Sequence, residues 1–220
     1  MQKRPNELEI FIHDISSPLT NIGVSLEYLK NQIYSDPHKL EKTIISTMDS
    51  LEYLFSITRR TITKKRPTDA TQYSLYFFLK ETIEKKFNFV MEKNNISLNY
   101  HLQEDYHVNF DKVLLDRAIS NVISNSIDAL TEKPTHKSRK LKISVYQFTS
   151  CIQISIVDNG IGISKSSLNN IFDIGYTEKT THQGIGLPTS KEIVESSLKG
   201  RFEIKSLVGI GTVVKIILPI

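Results

Sequence analysis

Leu8, Phe11, Ile15, Leu19, Ile22, Leu26, Leu29 and Ile33 recur in steps of three and four. That spacing keeps one apolar edge along a helix for about four heptads, in the manner of a coiled-coil seam. Ser35-Asp36-Pro37 interrupts it, with Pro37 suited to the first turn of a new helix. Leu40, Ile44, Thr47, Leu51, Leu54, Thr58 and Ile62 then repeat the spacing. Residues 1–66 are therefore expected to form a helical hairpin. Such a hairpin cannot cover both seams by itself. Pairing with a second copy gives a four-helix bundle and a homodimer; packing against the rest of the same chain is the other solution.

The period changes further on. RPTDATQYS, residues 66–74, has the composition of a linker, which we place at 67–73. Residues 74–220 are expected to form a second domain. Ser74 is suited to cap a helix from Leu75 to about Lys93, with Leu75, Leu79, Ile83, Phe87 and Val90 on one face. ISLNYHL and YHVNF are short strand candidates, and Asp111 is placed to cap a helix carrying Leu114, Leu115, Ile119, Val122, Ile123 and Ile127. LKISVYQFT and CIQISIVD alternate with period two, as a hairpin would. A short helix near 165–171, a helix near 188–198 and strands near 201–206 and 211–218 follow. The expectation is an α+β layer of helices on a mostly antiparallel sheet.

Composition removes several function classes. The 220 residues are 39% apolar and 24% charged, enough for an ordinary core. No apolar run reaches the length of a membrane span, and MQKRPNELEI lacks the apolar segment of a signal peptide. One cysteine, Cys151, excludes an intrachain disulfide and fits a reducing compartment; its place between strand-like runs predicts a buried small hydrophobe. The net charge is +4, and the basic run KPTHKSRKLK has no interleaved aromatics, so a solvated loop accounts for it and no nucleic-acid partner is expected. No two of the histidines at 38, 101, 107, 136 and 182 stand at metal-ligand spacing.

Three stretches of the second half stand out together. In NVISNSIDAL, residues 121–130, Asn121 and Asn125 share one helix face. DNGIGIS, 158–164, puts an aspartate at a strand end before two glycines, which allow close approach of a flat ligand. GIGLPTS, 184–190, leads into a helix whose free amides can hold phosphate oxygens. Singly, these are a solvated amide pair, a turn and a common loop. In this order they resemble the nucleotide-binding boxes of the ATPase and kinase superfamily that includes gyrase, Hsp90, MutL and sensor histidine kinases, the GHKL group. FDIGYTEKT, 172–180, is similar to the phenylalanine-rich box and lid start, and GTVVKIIL, 211–218, to the closing strand. FIHDISSPL, 11–19, resembles the phosphoacceptor box of sensor histidine kinases, in which His and an acid precede Pro-Leu.

The resemblance covers about residues 6–218 and implies a dimeric phosphoacceptor hairpin followed by a Bergerat-type α/β sandwich that binds ATP with Mg2+. It implies autophosphorylation of His13, then transfer to an aspartate in the receiver domain of a response regulator. Asp14 would hold the imidazole, and Asn125 would be the metal ligand. Asn121 would face the phosphates, Asp158 would accept the adenine amino group, and Gly160 and Gly162 would admit the purine. Gly184 and Gly186 would hinge the lid, with Leu187 and Thr212 near the nucleotide and Lys179 on its phosphates. Ser17, four residues after His13, stands where the family often has Thr or Asn for dephosphorylating the regulator, and that activity stays open. A cytoplasmic location is expected, either of the free protein or as the cytosolic core of a longer sensor.

Some positions depart from the family's pattern. Asp128 stands where many kinases have a cation, and is expected to face solvent or a backbone N–H; the lid is short. Related ATPases carry glutamate at the position of Asn121; an amide cannot act as that base, which weighs against an ATP-driven clamp. The other alternative, a phosphotransfer scaffold with a dead nucleotide domain, is opposed by the intact Asn125, Asp158 and paired glycines.

Overall fold

The computed structural model describes residues 15–16, 19–27, 43–44, 47, 50–51, 54, 72–102, 105–134, 138–173, 176, 184 and 186–220. The chain divides into two compact units, Met1–Asp69 and Ala70–Ile220. Among the described residues no helix is long and apolar enough to cross a membrane.

In the first unit every described residue is helical. Asn21, Ser25, Thr43, Thr47 and Ser50 are buried there, whereas Leu19, Leu26, Ile44 and Leu51 are between 41% and 54% exposed in the single chain. Four positions of the expected seams thus face outward, whereas Thr47, another seam position, is buried together with the small polar Asn21, Ser25, Thr43 and Ser50.

Elements of the second unit are numbered within it. Strand β1 (Tyr73–Ser74) leads into α1 (Leu75–Lys93). The Ser74 hydroxyl accepts from the Phe77 amide at 3.1 Å and donates to Asp105 at 2.6 Å, so two side chains close this helix start. Strands β2 (Ile96–Leu102) and β3 (His107–Val108) follow, the latter shorter than YHVNF and paired with β1. Helix α2 (Lys112–Thr131) begins at Asp111, whose carboxylate accepts from the Leu114 amide. Next come β4 (Arg139–Gln147), β5 (Cys151–Asp158), α3 (Lys165–Asn170), α4 (Gly186–Glu192), β6 (Arg201–Leu207) and β7 (Gly211–Pro219).

The sheet order is β2-β4-β5-β7-β6, with β2 and β4 parallel and every other pair antiparallel. The last strand in sequence is therefore interior to the sheet. Alternation puts Leu141, Ile143, Val145, Ile154, Ile156 and Ile216 on the inner face, all buried, against Leu79, Leu115, Ile119 and Ile123 of the helices. The opposite face carries Lys140, Lys142 and Lys205, all exposed.

Two local departures from the sequence reading have physical causes. Cys151 is only half-buried, because it begins β5 at the sheet rim opposite Pro219. The helix expected at 188–198 starts at Gly186 and passes into a π-helical turn, Ile193–Ser197, where the Leu198 amide reaches the Ile193 carbonyl. A widened turn shifts the register by a residue, and apolar periodicity does not resolve it.

Candidate functional site

Asp158 ends β5 on the inner face of the sheet, 4% exposed. Its register partner is Thr212 of β7, which in turn pairs with Ser206 of β6. One Asp158 oxygen accepts from the Gly160 amide at 2.9 Å and the Thr212 amide at 3.3 Å. Burial pushes its carboxyl above the ordinary value of 3.8; the Gly160 amide, the Ser126 hydroxyl, the Thr212 amide and the charge of Lys133 oppose that shift. A buried carboxylate with this support is a fixed hydrogen-bond acceptor.

The loop after Asp158 is tied down on both sides. The Ile161 amide donates to the Ala129 carbonyl of α2 at 3.1 Å, and the Ile161 carbonyl accepts from the Gly209 amide at 2.7 Å. A Cβ at Gly160 would lie 2.8 Å from Ala129, and one at Gly162, where φ is +73, would lie 2.1 Å from the Leu207 carbonyl oxygen. The space a side chain would take at both glycines is thus held by protein, so loop packing already requires glycine there. Asn159 faces away from Asp158: its side chain bonds the Lys140 amide and the Ser138 carbonyl, while Lys133 donates to its main-chain oxygen at 2.6 Å.

The second cluster forms where α2 meets α4. Asn121 donates from Nδ2 to the Gly186 carbonyl at 3.2 Å. A Cβ at Gly186 would stand 3.7 Å from Asn121 and 3.8 Å from Asn125 Nδ2, so both amides border this backbone. Leu187 follows, half-buried, and Gly184 has φ of +66. Phe172 packs edge-on against Phe202, and the Lys191 ammonium sits 4.4 Å over the Phe172 ring, a cation–π contact that links Phe172 to α4.

One helix carries both clusters. Asn121 and Asn125 meet Gly186, whereas Ser126 and Ala129 meet Asp158 and its loop; eight residues from Asn121 to Ala129 span about 12 Å of helix axis. The site is therefore elongated, with a buried carboxylate at one end and neutral amides beside a helix start at the other. Asn125 can supply the hard neutral oxygen that Mg2+ accepts, and the fit rests on that donor chemistry. Asp128, on the same helix, is half-buried. His13, Asp14, Ser17 and Lys179 lie outside the described residues.

Residues 110–220 match the family described as "Histidine kinase-, DNA gyrase B-, and HSP90-like ATPase". The chain belongs to this ATPase family. Signal transduction histidine-protein kinase AtoS of Escherichia coli (strain K12) is 28% identical over 94% of this chain and 33% of its own length. Sensor protein DegM of Bacillus sp. (strain B21-2) is 29% identical over 94% of the chain and 52% of its own length. The chain thus spans between a third and about half of these relatives. Among solved structures, the catalytic domain of histidine kinase ThkA superposes with a TM-score of 0.60 at 23% identity, over 68% of this chain and 96% of that one. ThkA in complex with the response regulator protein TrrA matches 94% of this chain and 59% of its own, with a TM-score of 0.57 at 22% identity. These likenesses show the ATPase-family fold.

Sequence reading missed Ser126, Ser190, Ser206 and Lys133. Ser126 and Ser190 carried a signal: each is a small polar residue within an apolar helical stripe, and each is buried. Ser206 bonds the Ile163 amide at 2.8 Å and Thr212 at 2.9 Å across strands, and nothing local in the sequence marks that role.

Proposed function

We propose that this chain is the catalytic core of a two-component sensor histidine kinase, which uses ATP to phosphorylate His13 and then passes the phosphoryl group to an aspartate of a receiver domain. The observation that carries this reading is the α2 arrangement: one helix holds Asn121 and Asn125 against Gly186 and Ser126 against Asp158. It suits a ligand with a hydrogen-bonding base at one end and a phosphate chain at the other. Asp158 accepts the adenine amino group, while the start of α4 meets the phosphates.

The chemistry asked of His13 is simple. A neutral imidazole nitrogen attacks the terminal phosphorus, the bond to the leaving ADP oxygen breaks, and Asp14 holds the N–H on the other ring nitrogen. Bound Mg2+, ligated by Asn125, supplies charge neutralisation on the phosphates. Asn121 is an amide and cannot activate water as a base, which favours transfer to His13 over hydrolysis.

Partners follow from the same reading. Exposed Leu19, Leu26, Ile44 and Leu51 support coverage by a second copy, hence a homodimer. The complex of ThkA with TrrA supports a response regulator as phosphoryl acceptor. ATP supply and the single cysteine are consistent with a cytoplasmic site of action.

The test is incubation with γ-labelled ATP and Mg2+. The wild-type chain should acquire an acid-labile, base-stable label, and His13→Gln none. Asn125→Ala should lose the label while keeping its unfolding transition. Label retained by His13→Gln would refute the assignment.

A further inference from the structure

Ser190 is fully buried on α4, close in sequence to buried Ile193 and Val194, where an apolar side chain would be the ordinary choice. Its hydroxyl reaches two carbonyl oxygens: that of Gly186, one turn back, at 2.9 Å, and that of Ala118 in α2 at 3.2 Å. A bond to the preceding turn is common for serine in helices. The reach across to a second helix is not, and one shared proton here bridges the backbones of α2 and α4. The Gly186 carbonyl also accepts from Asn121 Nδ2 at 3.2 Å. Because that partner is an acceptor, the NH2 group of Asn121 must face it. The amide oxygen of Asn121 therefore points the other way; a flipped amide would set oxygen against oxygen. The orientation of Asn121 thus depends on where the Gly186 carbonyl sits, and Ser190, which reaches both that carbonyl and the Ala118 carbonyl, adds a second tie between it and α2. Asn125 borders the same backbone, so a shift of α4 reaches both amides.

We propose that Ser190 is a positioning residue for phosphoryl transfer: by holding the Gly186 carbonyl against α2 together with Asn121, it fixes Asn121 with its NH2 on Gly186 and its amide oxygen turned away from that carbonyl. This rests on the kinase reading above. Ser190 touches no reactant and acts through Gly186 and Asn121. Its removal leaves the Gly186 carbonyl still bonded by Asn121 and the Ala118 carbonyl with its helical partner, so the fold tolerates the loss. The reacting geometry does not, because a small misplacement of a positioning group lowers the rate more than it lowers binding.

The experiment uses the full chain with Ser190→Ala and Ser190→Cys, the second nearly isosteric but a poor donor. Both should keep the wild-type unfolding temperature within a few degrees. The autophosphorylation rate at saturating ATP should fall about tenfold, with KM for ATP changed less than about twofold. A second readout needs no turnover. In nitrogen-15-labelled protein without nucleotide, the Asn121 side-chain amide signals, assigned by their loss in Asn121→Asp, should move upfield in both variants as the bond to Gly186 weakens. Folded variants with a wild-type rate, or with unmoved Asn121 signals, would overturn the role of Ser190. A wild-type chain that takes no label from ATP would instead sink the kinase reading, and the amide signals would still decide whether Ser190 sets Asn121.

Discussion

Asp158 and Thr212 face each other across the pairing of β5 with β7, and the Thr212 amide donates to the Asp158 carboxylate at 3.3 Å. The same oxygen takes the Gly160 amide. Asp158→Asn can keep both bonds through its amide oxygen, but presents NH2 where the carboxylate accepted. Two donors then meet if the ligand offers an amino group. ATP affinity should fall about 10- to 100-fold, equivalent to about 1.4–2.8 kcal/mol, by calorimetric titration. Unchanged affinity would remove Asp158 from base recognition.

The same carboxyl predicts a pH dependence. Its pKa is raised in the fold, chiefly by burial, so the folded chain binds the proton more tightly than the unfolded chain. Its contribution to stability is present in full below the ordinary value of 3.8 and is lost as pH rises through the folded value. Denaturant titrations at successive pH values should show wild type losing stability relative to Asp158→Asn as pH climbs through this window. A nucleotide bound by the ionised form should gain affinity over the same window.

Gly162→Ala should be costly. The residue has φ of +73, and an added Cβ would meet the Leu207 carbonyl oxygen at 2.1 Å. Backbone conformation and steric overlap act in the same direction, so the loss should be at least about 2 kcal/mol in urea unfolding. A wild-type midpoint would show that the 207–210 turn yields freely.

Arg139 closes two helix ends at once. Its guanidinium donates to the Asn94 carbonyl beyond α1 and to the Thr131 and Lys133 carbonyls at the end of α2, at 3.0, 3.0 and 2.7 Å. Arg139→Met should cost about 2–3 kcal/mol by denaturant unfolding, in line with charged hydrogen bonds at helix termini. ATP affinity of the folded fraction should stay within about twofold, since Arg139 reaches only main-chain carbonyls of Asn94, Thr131 and Lys133 and touches neither Asp158 nor the asparagines.

Local chemistry explains what was legible in the sequence. Ser74 and Asp111 are N-caps with apolar periodicity behind them, and both helices begin where those residues place them. The alternation in residues 141–158 fixed the hairpin, because gathering the apolar side chains on one face specifies register. In the candidate site, the order along the chain was enough to single out Asn121, Asn125, Asp158 and the glycines. The partners that hold them were not. Ser126, Ser190 and Ser206 act across elements far apart in sequence, and a serine within an apolar stripe reads as a small tolerated residue until the neighbouring carbonyl or carboxylate is known. The reason for Gly160 was also hidden, because the Ala129 backbone that crowds it comes from another element.

Helix α2 works as a ruler. A residue inserted between Asn125 and Ser126 would rotate everything beyond it by 100° and advance it by about 1.5 Å, turning Ser126 and Ala129 off the Asp158 loop while the asparagines stayed in place. Connections that hold no residue of the site have no such constraint. Length variation compatible with nucleotide binding should therefore gather in the connections and avoid residues 121–129, whatever substitutions the helix itself accepts.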